Sequence, residues 1–213
     1  MENNFLNLAS TRRSIRKYEE SNVPLEDIEY FIRAAVQAPS GCNSQCWRFI
    51  AIRDREIINR ISESVIRKVE SILEIKGDEL SQEYVSSKRK AVSFFTKASV
   101  VIAAFMTEVE HYDPTFMSAL RDRGYTDDDI MKLYGHYDVL SMGAAIQNML
   151  LAVHEKGYGA CWMNDPTLAG EEINEILKVP SDHKFISLIP IGFPAYVPRS
   201  KKMKEFSEVF SIL

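Results

Sequence analysis

The stretch "ASVVIAAFM", residues 98–106, is apolar apart from Ser99 and rich in β-branched side chains. A run of this length with no polar alternation is typical of a strand buried on both faces in the middle of a sheet. Strands are also predicted at "WRFIAIRD" (47–54) and "KFISLIPIGFP" (184–194), with a short one at "YGACWM" (158–163). The chain is therefore predicted to fold around a sheet that contains at least these four segments.

Helical periodicity fills much of the chain between these strands. Apolar residues recur at helical spacing from Leu25 to a stop before Pro39, and again over 55–75, where Gly77 ends the pattern. "EEINEILKV" (171–179) predicts another helix, and 78–97 is expected to be helical in part. Strands and helices in this mixture, with no internal repeat and no linker, predict one α+β domain over residues 1–213.

Two further segments carry specific expectations. The segment 138–156 is apolar nearly all round, so its helix must be covered on most of its surface by a core or by a partner. The segment 107–136 is aromatic, charged and irregular, and is predicted to be a lid over the substrate. Within it, Thr126 and Asp129 predict the start of a short helix. Gly157 is expected to end the apolar helix in the left-handed conformation.

Composition excludes several classes of protein. The chain of 213 residues has 26 basic and 30 acidic residues, a net charge of -4 and a pI near 5.7, which argues against a nucleic-acid-binding protein. Three cysteines indicate no disulfide framework and favour a reducing cytoplasm. The first ten residues resemble no signal peptide, and polar residues interrupt the most apolar stretch, so no membrane span is expected.

The sequence contains no recognisable motif for a metal, a catalytic nucleophile or a dinucleotide. The histidines at 111, 136, 154 and 183 have no ligand spacing, and Cys42 and Cys46 lack a second pair, so no metal is predicted. Neither a G-x-S-x-G nor a Walker A motif is present. Cys161 is interpreted as a small buried apolar residue. No side chain is assigned as a catalytic acid or base.

Basic residues concentrate at both ends of the chain. "TRRSIRKY" (11–18) contains Arg12, Arg13 and Arg16 around Ser14, and a second cluster, Arg199, Lys201 and Lys202, follows the last strand. Either cluster alone is most simply a solvated face. If the sheet brings the two together, their donors converge, and arginine matches phosphate oxygens in a bidentate way. The pair of clusters then predicts a site for a phosphorylated cofactor.

The loop "PSGCNSQCW" (39–47) lies between a predicted helix and strand. Its polar side chains, from Ser40, Asn43, Ser44 and Gln45, can hydrogen-bond the edge of a planar heterocycle. The alternative interpretation is an ordinary polar turn.

Four motifs in order resemble the nitroreductase-like FMN oxidoreductase family: "RRSIRKY", "APSGCNSQCWRF", "GYGACWM" and "IGFP" followed by "PRSKK". The resemblance covers nearly the whole chain. It implies the nitroreductase-like fold, a central mixed and mostly antiparallel sheet flanked by helices. It also implies an intertwined homodimer with two FMN sites at its interface.

The resemblance also implies roles for individual residues. The flavin phosphate and pyrimidine edge would be held by Arg12, Arg13, Ser14 and Arg16, with Arg199 and Lys201 completing the phosphate site. The loop of the other subunit would reach the FMN through Pro39, Ser40, Asn43 and Gln45. The backbone around Met163 and Asn164 would face the flavin N5. Two positions depart from the family pattern: Cys46 replaces a common proline, and Asp165 a common glycine.

The activity implied is an FMN-dependent NAD(P)H oxidoreductase. NADH or NADPH would reduce the flavin transiently, and a nitroaromatic, quinone or related electron-poor small molecule would then be reduced by ping-pong hydride transfer. Two alternatives stay open. One is another chemistry of the same family, reductive dehalogenation of iodotyrosine or oxygen-dependent fragmentation of reduced flavin. The other is a non-catalytic flavin-binding redox module with Cys42 and Cys46 as a thiol switch.

Overall fold

A four-stranded antiparallel sheet forms the centre of the fold in the computed structural model, which describes residues 4–109 and 113–213. Its strands are β1 (Trp47–Ile52), β2 (Val100–Met106), β3 (Gly159–Ala160) and β4 (Lys184–Gly192), in the order β1-β2-β4-β3. Every residue of β2 is buried, and β2 pairs with a strand on each side. The prediction of a central strand from its apolar run is therefore confirmed.

The N-terminal basic segment extends this sheet beyond β3. Ser14 forms an isolated parallel bridge with Ala160, and the Ile15 amide donates to the Ala160 carbonyl at 2.9 Å. Further along, Tyr18 bridges Pro194 in the antiparallel sense. The strand pairs confirm a mostly antiparallel sheet, and among the described residues its parallel component is limited to the isolated Ser14–Ala160 bridge.

Helices cover both faces of the sheet. They are α1 (Asn4–Thr11), α2 (Leu25–Ala35), α3 (Arg55–Leu73), α4 (Gln82–Ser93), α5 (Pro114–Asp122), α6 (Asp127–Leu133), α7 (Tyr137–Glu155), α8 (Gly170–Leu177) and α9 (Phe206–Val209). Side chains of β2 alternate between two cores. Ile102 packs with α2 and α7 on one face, and Phe105 packs with α3 and α8 on the other.

Several helix boundaries follow the local signals. Asp54 accepts the Glu56 and Ile57 amides at the start of α3. Thr126 and Asp129 form the predicted capping box of α6. Gly157 has φ of +80° immediately after α7, which confirms its left-handed conformation. No helix of the described residues combines the length and apolarity that a membrane crossing requires.

Three segments differ from expectation. The described part of 107–136, which excludes 110–112 and so His111, is mostly helical, because α5 and α6 occupy it and bury Met117 and Ile130. Asn4–Thr11 form α1, a helix that was not predicted from the sequence. In "YGACWM" only Gly159 and Ala160 form a regular strand, while Met163 makes a separate bridge to Leu188.

Replacing Gly159 with alanine is expected to destabilise the junction between the basic segment and the sheet. A Cβ at this position would lie 2.5 Å from Ile15 Cγ1, and Ile15 is buried. Overpacking of this kind typically lowers the free energy of unfolding by about 1–3 kcal/mol, measurable by urea denaturation. Gly143→Ala in α7 is the control, because its Cβ would meet only the Trp162 ring at an ordinary 3.5 Å. Equal destabilisation of the two variants would contradict this account of Ile15.

Candidate functional site

The two basic ends of the chain meet in one cleft. Its wall combines the N-terminal segment and the C-terminal residues around a volume of 400 Å³: Arg12, Arg13, Ser14, Arg16, Tyr196, Pro198, Arg199 and Lys201. We call this the cationic cleft. The backbone brings the two ends together, because Ala195 donates to the Lys17 carbonyl and Glu19 donates to the Phe193 carbonyl. The two basic clusters therefore converge, which was the condition for the predicted phosphate site.

Two buried side chains, three positions apart, orient the N-terminal segment. Ile15 and Tyr18 are buried in the core, and the Tyr18 hydroxyl donates to the Ile15 carbonyl at 2.7 Å. Arg16 and Lys17 are exposed between them. Arg16 lines the cationic cleft, whereas Lys17 does not. The segment is thus fixed by two apolar anchors, and most of its cationic residues are presented on the cleft side.

Arg13 differs from the other basic residues of the cleft. Its guanidinium donates to the carbonyls of Ser10 at 2.6 Å, Arg12 at 2.8 Å and Arg199 at 3.3 Å. These bonds tie the C-terminal residues to the N-terminal segment, and they come from Nε and Nη1, so the Nη2 donors of Arg13 can still reach a ligand. Sequence reasoning could not separate this role from ligand binding, because both require an arginine.

The other cations of the cleft are Arg12, Arg16, Arg199 and Lys201. In residues 4–109 and 113–213, no acidic side chain forms an ion pair with Arg12, Arg16, Arg199 or Lys201. Like charges held close together repel each other, and a bound anion relieves that repulsion. Four uncompensated cations next to the Ser14 hydroxyl suit a doubly charged phosphate.

His154 and Cys161 border the cleft, and their surroundings favour the neutral form of each side chain. Burial lowers the pKa of His154, and the positive charges of Arg12 and Arg13 lower it further, while its Nε2 lies 2.9 Å from Thr11 Oγ1. Burial raises the pKa of the Cys161 thiol, opposed by Arg16 and by the hydrogen bond with Ser14. Cys161 is 4% exposed, which confirms its interpretation as a small buried residue.

A larger cleft of 740 Å³ lies beside Trp162 and is named here the tryptophan cleft. Apolar side chains of Val139, Leu168, Phe185 and Ile186 join Trp162 in its wall, and Asn164 lies among them. Charged residues of both signs surround them: Lys68, Glu171, Glu172 and Lys184. Its size is in the range of small-molecule and cofactor sites. Trp162 and this cleft were missed from the sequence, although Trp162 lies in the "GYGACWM" motif.

Met163 is placed differently from its neighbour Asn164. Its side chain is buried, its amide donates to the Leu188 carbonyl at 3.0 Å, and its carbonyl accepts the Leu188 amide at 3.2 Å. An amide carries one proton, so the Met163 amide is unavailable to a ligand. The prediction that this backbone faces a flavin is therefore kept for Asn164 and dropped for the Met163 amide.

The polar loop 39–45 lies apart from both clefts within this chain. Neither wall includes Pro39, Ser40, Asn43 or Gln45. The loop is folded on itself, with the Ser40 hydroxyl accepting the Gln45 amide at 3.0 Å. It precedes β1 and lies beside the first turn of α7, where the Ser141 hydroxyl accepts the Gly41 amide at 3.0 Å.

The two departures from the family pattern occupy different environments. Cys46 is completely buried, and burial raises the pKa of its thiol, which disfavours the reactive thiolate. This argues against Cys46 as half of a thiol switch. Asp165 is partly exposed and forms an ion pair with Lys88 of α4 at 3.0 Å. In the described ranges, no group of three or more histidine, cysteine, aspartate or glutamate side chains could hold a metal ion.

These features define an α+β protein with a cationic cleft at the edge of an antiparallel sheet and a second, aromatic-lined cleft. A family model identifies the class more closely, since the model of the nitroreductase family matches residues 9–193. The chain belongs to the nitroreductase family, and the resemblance drawn from its four motifs is confirmed.

Similar proteins agree with this assignment. A BluB-like flavoprotein from Clostridium difficile 630 is 29% identical, with a TM-score of 0.83 over 100% of this chain and 99% of its own. A nitroreductase with bound FMN from Desulfitobacterium hafniense DCB-2 has the same fold at 19% identity, with a TM-score of 0.73 over the full length of both chains. The iodotyrosine deiodinase of Thermotoga neapolitana is 25% identical over 88% of this chain and 87% of the relative.

Proposed function

We propose that this protein is an FMN-dependent NAD(P)H oxidoreductase that reduces nitroaromatic, quinone or related electron-poor small molecules in two half-reactions. The observation that supports this most directly is the cationic cleft, where both ends of the chain place unpaired cations together. The family adds support, because one of its members with the same fold binds FMN. NADH or NADPH would be the transient reductant.

The residues of the cleft fit the cofactor. Arg12, Arg199 and Lys201 would hold the phosphate, and the Ser14 hydroxyl would add a hydrogen bond. Arg16, exposed on the cleft side, would lie at the pyrimidine edge and stabilise the negative charge of the reduced ring. The flavin, when bound, supplies the acceptance and donation of hydride. Asn164 would orient the reactive edge of the ring in the tryptophan cleft, whose apolar wall would exclude water.

The proposal includes a homodimer. Val139 and Leu140 of α7 are exposed, although this helix is apolar nearly all round. Residues 199–213, the C-terminal tail, are exposed throughout and contain several large apolar side chains. Surfaces of this kind are typical of chains that bury them against a second copy. In such a dimer, the 39–45 loop would reach the FMN of the other subunit, and α5 and α6 would act as the substrate lid.

Reductive dehalogenation is the second candidate. The similarity to the Thermotoga neapolitana deiodinase supports it, since it covers most of both chains. Two assays separate the candidates. Steady NAD(P)H oxidation with a nitroaromatic acceptor would favour the nitroreductase activity. The dehalogenase would be favoured if the chemically reduced protein releases iodide from an iodotyrosine and does not turn over nitroaromatics.

The purified protein is expected to be yellow, with non-covalently bound FMN. The convergent cations of the cationic cleft favour a phosphorylated flavin, and the FMN-bound relative favours FMN over a cofactor with a second nucleotide. Heat or acid should release a flavin that chromatography identifies as FMN. Release of FAD, or no flavin binding after reconstitution of the apoprotein, would contradict the proposal.

A further inference from the structure

The 39–45 loop has an unusual backbone conformation. Cys42, Asn43 and Gln45 have φ of +56°, +52° and +46°, the left-handed region that side chains other than glycine rarely adopt. Such residues persist only when their surroundings determine the conformation, and they cluster at ligand sites. The loop therefore requires an external support.

That support is the first turn of α7. The Gly41 amide donates to the Ser141 hydroxyl at 3.0 Å, and this hydroxyl donates to the Tyr137 carbonyl at 2.6 Å. The Tyr137 ring packs directly on Gly41, because a Cβ at position 41 would lie 2.0 Å from Tyr137 Cδ2. Any larger residue at position 41 would overlap the Tyr137 ring, so this packing of the ring on the loop requires glycine.

Tyr137 also contacts the strained residue that follows. Burial raises the pKa of Tyr137 to about 12, and the nearby Cys42 thiol, to which it is hydrogen-bonded, adds to the shift. The hydroxyl is therefore protonated at physiological pH. The ring and the hydroxyl together restrain Gly41 and Cys42, the point at which the backbone enters its left-handed run.

The C-terminal end of the loop also packs against the first turn of α7. Cys46 Sγ lies 3.9 Å from the Asp138 carbonyl, and the Cys46 carbonyl accepts the Thr107 amide. Hydrogen bonds inside the loop, such as Gln45 to Ser40, close it but do not fix its position on the protein. Its position on the protein is fixed by the contacts with Tyr137, Asp138 and Ser141 of α7.

We propose that Tyr137 is a positioning residue whose ring holds the 39–45 loop in the conformation that presents Ser40, Asn43 and Gln45 to the cofactor. This rests on the proposed function, in which the loop binds FMN. Tyr137 begins α7 immediately after Gly135 and His136, both with positive φ, at the end of the lid segment. The substrate lid and the cofactor loop therefore meet at this side chain.

Fluorescence titration of the apoprotein with FMN tests the proposal. Tyr137→Ala is expected to raise the dissociation constant about tenfold, because the loop loses its preorganisation. Tyr137→Phe keeps the ring on Gly41 and should bind within about threefold of the unaltered protein. The control is Tyr84→Ala, an exposed tyrosine of α4 that lines neither cleft and should leave the dissociation constant unchanged. The visible circular dichroism of bound FMN should change in Tyr137→Ala and recover in Tyr137→Phe.

Gly41→Ala probes the same contact from the other side. It should weaken FMN binding on its own, yet add little in the Tyr137→Ala background, because the ring it would clash with is gone. If Tyr137→Ala does not fold, Gly41→Ala is decisive alone, and unaltered FMN affinity in that variant would overturn the proposal.

The outcomes separate this proposal from the proposed function. Failure of the unaltered protein to bind FMN would overturn both. Tight binding by the unaltered protein and equally tight binding by Tyr137→Ala would overturn only the role of Tyr137. A lower melting temperature of the apoprotein with no change in FMN affinity or dichroism would also overturn it, since the side chain would then be merely structural.

Discussion

The double variant Arg12→Ala/Arg199→Ala is expected to bind FMN at least about a hundredfold more weakly than the unaltered protein. Both residues line the cationic cleft, one from each end of the chain, and neither has a carboxylate partner among the described residues. A hydrogen bond to a charged group contributes roughly 1.5–3 kcal/mol, so two lost bonds correspond to about 3 kcal/mol or more. The losses need not add fully, because both residues contact the same phosphate.

Single variants show how much each arginine contributes to FMN affinity, which is measured by fluorescence titration of the apoprotein with FMN. Arg12→Ala and Arg199→Ala should each raise the dissociation constant about ten- to a hundredfold. Lys17→Ala is the matched control, because this lysine is exposed, belongs to the same basic segment and does not line the cleft. If Lys17→Ala and Arg12→Ala both bind FMN like the unaltered protein, the cluster is a solvated face and the cofactor proposal is wrong.

Arg16→Ala is expected to have a different signature. Besides weakening FMN binding, it should lower the reduction potential of the bound flavin, since the negative charge of the reduced ring loses a nearby cation. Potentiometric titration against a reference dye measures this. An unchanged potential would place Arg16 at the phosphate or in solvent rather than at the pyrimidine edge.

The elements with strong local signals could be predicted from the sequence. The apolar run of β2 identified the central strand because a strand buried on both faces needs no alternation. The signals for α5 were also present, since Asp113 caps it and Pro114 begins it. Its aromatic and charged composition nevertheless favoured a loop. In α1, exposed Phe5 and Leu6 gave no amphipathic pattern that would indicate a helix.

Contacts between distant segments could be predicted only conditionally. The cationic cleft depends on a bridge between Ser14 and Ala160, and no local pattern specifies which segment pairs with the edge of β3. The same limit applies to Met163, whose backbone pairing with Leu188 removed it from the candidate donors. The positive φ values of Cys42 and Gln45 had no sequence signal either, because these residue types do not favour that conformation.

Removal of residues 203–213 is expected to convert the proposed dimer into a monomer. This part of the C-terminal tail exposes Met203, Phe206, Val209, Phe210 and Ile212, with Phe206 72% exposed. The tail is nevertheless structured, since α9 has a capping box and the rings of Phe206 and Phe210 stack with centroids 5.1 Å apart. Burying one such side chain contributes roughly 1.5–3 kcal/mol, and two tails supply several of them. The dimer dissociation constant should rise at least about a thousandfold.

The truncation also separates the two sources of cofactor affinity. Arg199 and Lys201 remain in the shortened chain, so any loss of FMN binding would come from losing the other subunit's 39–45 loop.

The variant Phe206→Asp/Phe210→Asp keeps the chain length and should also dissociate the dimer, because a buried unpaired carboxylate is costly. Lys204→Asp, an exposed neighbour, controls for added negative charge and should remain dimeric. Light scattering at micromolar concentration measures the mass of each variant. A flavin-loaded monomer of the unaltered protein would refute the dimer, and a truncated chain that stays dimeric would show that the exposed face of α7 holds the subunits together without the tail.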